Sequence, residues 1–194
     1  MQERLMKNLS LPMLPLTIFL LPGGKARLRI FETKCLKTIS VASKEAGLVL
    51  RLPFSENSPE ETSRGSLVMV EDFNQGDDGV LELDVLCSSL VAIKDTRLDE
   101  SQVLFAQVHL VKHWSQVIRS QSIQRDDLAS SLNQIINQDM MLNSLYQNKA
   151  LHNSSWVIAR WLELLPVNAK VKRSFIKENG FVQAKKFIES IIFN

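Results

Sequence analysis

The chain carries one hairpin that most constrains its fold. Gly65 to Phe73 has the composition of a strand, Gly76-Asp77-Asp78-Gly79 has that of a tight turn, and Val80-Leu81-Glu82-Leu83-Asp84-Val85-Leu86 then alternates apolar and polar residues strictly. A two-residue period puts every second side chain on one face of an extended strand, so the segment predicts a β-hairpin with one buried face. A lone hairpin is marginal in water and needs more strands, or a helix, against its apolar face.

The surrounding sequence supplies both. Ser10 to Pro22, with β-branched and aromatic residues among spaced prolines, suits an edge or barrel-opening strand, and Gly23-Gly24 turns the chain. Arg27 to Phe31 alternates as a half-buried strand. From Thr33 to Ala46 the apolar residues Leu36, Ile39 and Val41 approach helical spacing, with Gly47 as the stop. Leu48 to Leu52 reads as a buried strand, Pro53 to Arg64 as a polar loop, and Leu90 to Lys94 and Val103 to Val111 as two further β runs. Six or more short strands interrupted by one helix predict an α+β fold, a small mostly-β pseudo-barrel rather than βαβ repeats.

The periodicity changes near Ser115. Leu128, Leu132, Ile135, Ile136, Leu142, Leu145 and Tyr146 keep one apolar stripe after a cap at Asp126, which predicts a long amphipathic helix. Ser154 to Leu165 repeats the pattern through Trp156, Ile158 and Trp161 until Pro166 stops it. Asn168 caps a short helix carrying Val171 and Phe175 that ends at Asn179-Gly180, and Phe181 to Phe193 is a final amphipathic helix. The expected division is residues 1–116, β-rich, and 117–194, a C-terminal α-helical bundle, meeting in the polar stretch 114–125.

Bulk composition narrows the function classes. With 194 residues, 45% hydrophobic and 23% charged, the chain is of globular composition, and its net charge of +2 is too small to drive nucleic-acid or membrane binding. The longest apolar run, Leu11 to Pro22, contains three prolines and falls short of the roughly 20 residues of a membrane span. Arg4 and Lys7 before it suggest a secretion signal, but Pro12, Pro15 and Pro22 break the helix such a signal uses. Cys35 and Cys87 are too few for a zinc site or a disulfide framework, and a reducing cytoplasm is the simplest setting.

Leu14-Pro15-Leu16, Leu21-Pro22-Gly23-Gly24 and Leu28-Arg29-Ile30-Phe31-Glu32 are similar to the opening signature of the Lon N-terminal domain family, an L-x-x-x-P-G strand end leading into R-I-F-E, and that family is related in fold to PUA-like barrels. Arg64 to Val70 resembles its G-T-x-A-x-I strand, Asp78 to Leu83 its D-G-x-L-D-L strand, and Phe105-Ala106-Gln107-Val108 its Y-x-A-x-V ending. Trp156 to Pro166 and the Lys-rich helix beyond look like its helical segment ending in L-L-P. Thr33 stands where the family usually has proline, and Cys87-Ser88-Ser89-Leu90 replaces G-x-x-R-F. Pro22-Gly23-Gly24 allows a tight turn, and Arg29 with Glu32 can pair or cap the helix near Thr33. The resemblance implies a stand-alone recognition domain that binds exposed hydrophobic segments.

Catalytic constellations are missing from the sequence. Gly23-Gly24-Lys25 lacks the upstream glycine and the Ser/Thr of a phosphate-binding loop, and no serine and lysine stand out as a peptidase pair. His109 and His113, read on a strand, lie roughly 13 Å apart, too far for one metal. The acidic residues Glu71, Asp72, Asp77 and Asp78 lack the spacing of a calcium loop. Trp114, Trp156 and Trp161 can stack nucleotides, but a place on an apolar stripe explains them as core. No cofactor or metal is expected, and no nucleophile and base suggest a hydrolase.

The expectation is therefore a non-enzymatic protein-binding module whose partners are unfolded or specific client polypeptides and, through the resemblance, a full Lon protease. Peptides would lie along an open sheet edge or in the groove between the parts. Met13, Phe19, Phe54 and Met69 are the candidate contacts, because Met and Phe at strand or loop positions adapt to varied guests. The alternative is RNA binding through Lys170, Lys172, Arg173, Lys177, Lys185 and Lys186. Pairing of tail helices into a homodimer is left open by the sequence.

Overall fold

The structure, a computed structural model, describes residues 9–45, 47–53, 63–114 and 127–193. The chain divides into two compact units, Met1–Val111 and Lys112–Asn194.

The first unit contains β1 (Leu9–Thr17), β2 (Lys25–Ile30), α1 (Thr33–Ala42), β3 (Leu48–Arg51), β4 (Arg64–Gln75), β5 (Leu81–Leu98) and β6 (Leu104–Val111). Strand order is β2-β5-β4-β3-β1-β6, and β6 pairs again with β5. Five strands thus close a ring, β5-β4-β3-β1-β6, and β2 adds to β5 outside it. The pseudo-barrel expected from the alternation is present, with α1 inserted between β2 and β3. All pairings are antiparallel except β1 with β3, whose parallel arrangement requires the crossover through β2 and α1. The β1–β3 ladder is irregular between Leu14 and Thr17, where Pro15 has no N–H to offer it.

Among the described residues two apolar cores result. Leu11, Met13, Val49, Leu67, Val91, Ile93, Ala106 and Val108 form one, and the other gathers Leu14, Leu28, Ile30, Leu48, Leu50, Val68, Leu83 and Val85 around Cys35, Ile39 and Ala42 of α1. Adjacent residues of β3 serve alternate cores, so both faces of that strand are buried.

Strand β5 runs unbroken for 18 residues where the sequence suggested two separate runs. The apparent interruption is a bulge: Val68 faces Cys87 while Leu67 faces Ser89, leaving Ser88 as the extra residue, its hydroxyl bonded to Leu67 O at 3.1 Å. A bulge inverts the side-chain parity. Odd-numbered residues therefore enter the α1-side core before Ser88 and the other core after it. Strand β2 starts from a turn in which Gly24 N–H donates to Leu21 O at 2.8 Å, with Gly23 at φ +78°, the geometry of a type II turn with proline second and glycine third. Gly23 and Gly24 then exchange hydrogen bonds with Cys87.

Helix α1 is shorter than its sequence spacing predicts, because the Ser43 hydroxyl takes up Ile39 O at 2.9 Å and i→i−3 bonds tighten residues 43–45 into a turn. Glu32 stands at the N-cap position without a side-chain capping bond and pairs with Lys34 at 2.6 Å. Arg29 does not reach Glu32 either. Its strand register directs it across the ladder to Glu82.

Gly65 is a point of close approach. A Cβ there would meet Leu50 O at 2.7 Å and Val49 Cγ1 at 3.0 Å. Backbone oxygen in a closed ladder yields little, so Gly65→Ala is expected to cost about 1–3 kcal/mol, measured as a lower urea midpoint. An unchanged midpoint would show that the ring relaxes there freely.

The second unit contains α2 (Asp127–Gln138), α3 (Met140–Leu145), α4 (Ser154–Leu164), α5 (Ala169–Phe175) and α6 (Phe181–Ile192). The stripe from Leu128 to Tyr146 is two helices rather than one long one. Asp139, extended at φ −93° and ψ 116°, breaks the stripe and caps α3 by accepting Leu142 N–H at 2.8 Å. Asp126 lies outside the described residues. Asn153 and Asn168 cap α4 and α5 through Trp156 N–H and Lys170 N–H, the second as its position predicted. Helix α4 is buried on all sides from Ser155 to Leu162 rather than along one stripe, because α2 and α6 pack against it.

The three tryptophans belong to this packing. Trp114 Nε1–H donates to Phe175 O at 2.9 Å, Trp161 Nε1–H to Leu128 O at 3.0 Å, and Trp156 meets Tyr146 edge-on at 5.6 Å.

Lys172 lies buried on α5, and its ammonium donates to Glu163 O at 3.0 Å. Burial pushes it below its ordinary 10.5, against the opposing charge of Glu163. The unfolded chain then holds that proton more tightly than the folded one. Stability is expected to rise with pH from the lowered folded value up to 10.5. Urea unfolding across that window checks it, and Lys172→Met should flatten the rise.

Candidate functional site

Beyond the ring, β2, the first part of β5 and the last part of β4 form a three-stranded extension with two unlike faces. Register sets the first face. Arg27 lies opposite Asp84, and Arg29 opposite Glu82. Arg27 makes a bidentate pair with Asp84 at 2.7 and 2.8 Å, Lys25 meets Glu71 at 2.6 Å, and Arg29 meets Glu82 at 3.4 Å and Asp78 as well. The Arg29 guanidinium holds the Asp78 carboxyl below the usual carboxylate range, and the Asp84 hydrogen bonds raise Arg27 further. These cations are engaged by neighbouring carboxylates, which leaves little field for a phosphate. Phe31, 71% exposed, lies under the Arg29 guanidinium at 5.3 Å.

On the opposite face Leu28, Ile30, Val70, Leu83 and Val85 pack with Cys35, Ile39 and Ala42 of α1. Near the outer end of β4 a bulge decides which side chains reach that face. Val70 faces Val85 while Asp72 faces Asp84, so Glu71 is the extra residue and Phe73 comes to lie opposite Leu83. Phe73 is thereby carried onto the same face as Val70. It is 63% exposed, and Met69, two residues before the bulge on the other face, is 43% exposed. A cleft of about 250 Å³ is lined by both, with Val70, Leu48, Gly47, Ala42 at the end of α1, and Ser43 and Glu45 just after it. It takes side chains from both faces of β4 and therefore sits on the strand's edge.

A second cleft of about 160 Å³ opens by the β5–β6 turn and α1, lined by Met13, Pro15, Lys34, Cys35, Thr38, Leu98, Gln102 and Leu104. Gln102 holds φ +64° there, in a turn closed by Gln102 N–H to Asp99 O and Val103 N–H to the Asp99 carboxylate. Both clefts are below the roughly 300 Å³ at which small-molecule and cofactor sites begin, and are of a size for a single side chain.

The four candidate contacts scatter. Met69 is on the first cleft. Met13 is 1% exposed, because its place on β1 turns it into the core, and it reaches the second cleft only as floor. Phe19 is half-buried in the β1–β2 connection, and Phe54 lies outside the described residues. Phe73 and Leu98, the latter 58% exposed, were missed by sequence reasoning. Phe73 carried no signal, since its face depends on a bulge that strict alternation does not reveal.

Other sequence features resolve differently. His113 lies past the end of β6, fully buried against the Trp114 ring at 4.3 Å, instead of continuing the strand of His109. Among the described residues no group of three or more His, Cys, Asp or Glu could hold a metal ion, and no helix is long and apolar enough to cross a membrane. Cys35 and Cys87 are both buried, and burial raises the Cys35 thiol. The basic tail residues do not make one face: Lys172 is buried and Lys185 pairs with Glu189 at 3.8 Å. The RNA alternative has no support in this arrangement.

No protein-family model matches the sequence, and no curated protein matches it. Solved structures do. A Lon N-terminal domain protein from Xanthomonas campestris superposes with a TM-score of 0.60 at 22% identity, covering 94% of this chain and 98% of that one. The N-terminal domain of the Mycobacterium avium complex Lon protease superposes equally, TM-score 0.60, at 12% identity, covering 93% and 96%. At these identities the likeness establishes a shared fold over almost the whole of each chain.

Proposed function

We propose, from a fold shared with Lon N-terminal domains, that this chain is a non-enzymatic module that binds exposed hydrophobic segments of other polypeptides. The observation that carries the reading is the pair of exposed apolar side chains, Met69 and Phe73, flanking a cleft of one-residue size on β4. Adjacent exposed apolar side chains beside a concavity support this reading, where a single one would not. Met and Phe there accommodate guests of varied shape. Client polypeptides are the partners in this reading, a full Lon protease is a further one, and the setting is a reducing cytoplasm.

The test is binding to a permanently unfolded protein, reduced and alkylated, against the same protein in native form. Labelled client and fluorescence anisotropy give the affinities. The expected result is saturable binding of the unfolded form, no binding of the native form, and weakening by Met69→Ser and Phe73→Ser. Equal affinity for both forms, or none for either, overturns the reading.

A further inference from the structure

Among the described residues, the last part of β4 has a neighbouring strand on one side only. Its ladder with β3 ends where Leu48 faces Val68, yet β4 stays extended to Gln75, paired only with β5. Among the described residues no other strand takes up that side. From Val70 to Gln75 this leaves six residues, roughly 20 Å, of open edge.

The direction of the backbone groups follows from the hairpin. Gly76 N–H donates to Val80 O at 2.8 Å, and antiparallel alternation from there turns Asn74 toward β5 and Phe73 and Gln75 away from it. Phe73 N–H accordingly donates to the Asp72 carboxylate at 2.9 Å instead of to a strand. The cleft lies on this same edge.

We propose that the Val70–Gln75 edge of β4 is a strand-addition site: an extended segment of a client pairs with the outward backbone groups of Phe73 and Gln75 and sets one apolar side chain into the cleft. The inference rests on the hydrophobic-segment reading and gives it a site and a geometry. Backbone pairing supplies affinity that does not depend on the client's sequence, and the cleft selects the apolar residue. Charge narrows the client further. Among the described residues Glu45 lines the cleft and Asp72 and Asp77 lie on β4 and its turn, none of them in a salt bridge. The segment that fits has an apolar residue flanked by lysine or arginine, in extended form.

The probe is a fluorescein-labelled peptide of alternating threonine and leucine between terminal lysines, titrated with the full chain. A second peptide carries N-methyl groups on alternate residues, which removes the N–H groups of one edge and leaves the side chains in place. The expected result is binding of the first peptide, about tenfold weaker for the N-methylated one and for Phe73→Ser, and unchanged for Leu98→Ser at the second cleft. Raised salt should weaken binding. Both substituted positions are solvent-exposed, and far-UV circular dichroism shows whether either variant is misfolded.

Equal binding of the two peptides overturns the strand pairing. Loss with Leu98→Ser but not Phe73→Ser moves the guest to the second cleft and overturns this site, while hydrophobic-segment binding stands. Failure of the peptide to bind, with the unfolded client still bound, also removes this site alone. Failure of both removes the functional reading itself.

Discussion

Arg160→Ala is expected to lower the unfolding free energy of the helical unit by about 3–5 kcal/mol, the cost typical of leaving one member of a buried ion pair without its partner. The Arg160 side chain is 1% exposed and grips the Glu163 carboxylate, 10% exposed, through Nε at 2.6 Å and Nη2 at 2.7 Å. Its guanidinium also stands over the Trp156 ring at 5.4 Å. Alanine would strand a carboxylate that is only 10% exposed, close to the Lys172 ammonium that bonds Glu163 O. The double variant Arg160→Met with Glu163→Leu removes both charges and keeps the volume, so it should recover most of the loss. Chemical denaturation of the three chains checks this. If Arg160→Ala costs under about 1 kcal/mol, the pair behaves as a surface bridge and its burial is energetically idle. By contrast Arg29→Ala, at a pair half open to water, should change stability little.

Trp161→Ala should cost a similar amount, about 3–5 kcal/mol, for a different reason. The indole is 3% exposed, and its removal opens a void between α4 and α2 that close packing cannot refill. Trp161→Phe separates the two parts of the effect. It keeps most of the apolar volume and loses the donor to Leu128 O, for an expected cost of about 1–3 kcal/mol. Met140→Ala, at a side chain 91% exposed, should stay within about 0.5 kcal/mol. Trp114, Trp156 and Trp161 all belong to the Lys112–Asn194 unit, so tryptophan fluorescence follows that unit's unfolding alone. Equal costs for alanine and phenylalanine would assign the whole effect to the hydrogen bond.

These effects sit in the helical unit, and the proposed binding edge sits in the other. Substitutions at Met69 and Phe73 should therefore alter binding with little change in stability, whereas Arg160 and Trp161 should do the reverse.

What the chain's own letters determined was local. A period of two up to Val111 and of three to four beyond it separates strands from helices, because side-chain spacing is a property of the extended or helical backbone itself. The Gly76–Gly79 turn, the Pro22-Gly23 turn and the Asn168 cap were legible for the same reason, each being chemistry within a few residues. Alternation tells that a strand has two faces, but not which face is covered. Only the closed ring buries both sides of β3 and turns Met13 inward. Only the bulges at Ser88 and Glu71, visible as slips between paired strands, pass β5 from one core to the other and bring Phe73 beside the cleft. Asp139 splits one stripe into two helices, and neighbouring helices bury α4 all round. Such outcomes depend on residues distant in sequence meeting in space, which no local period records.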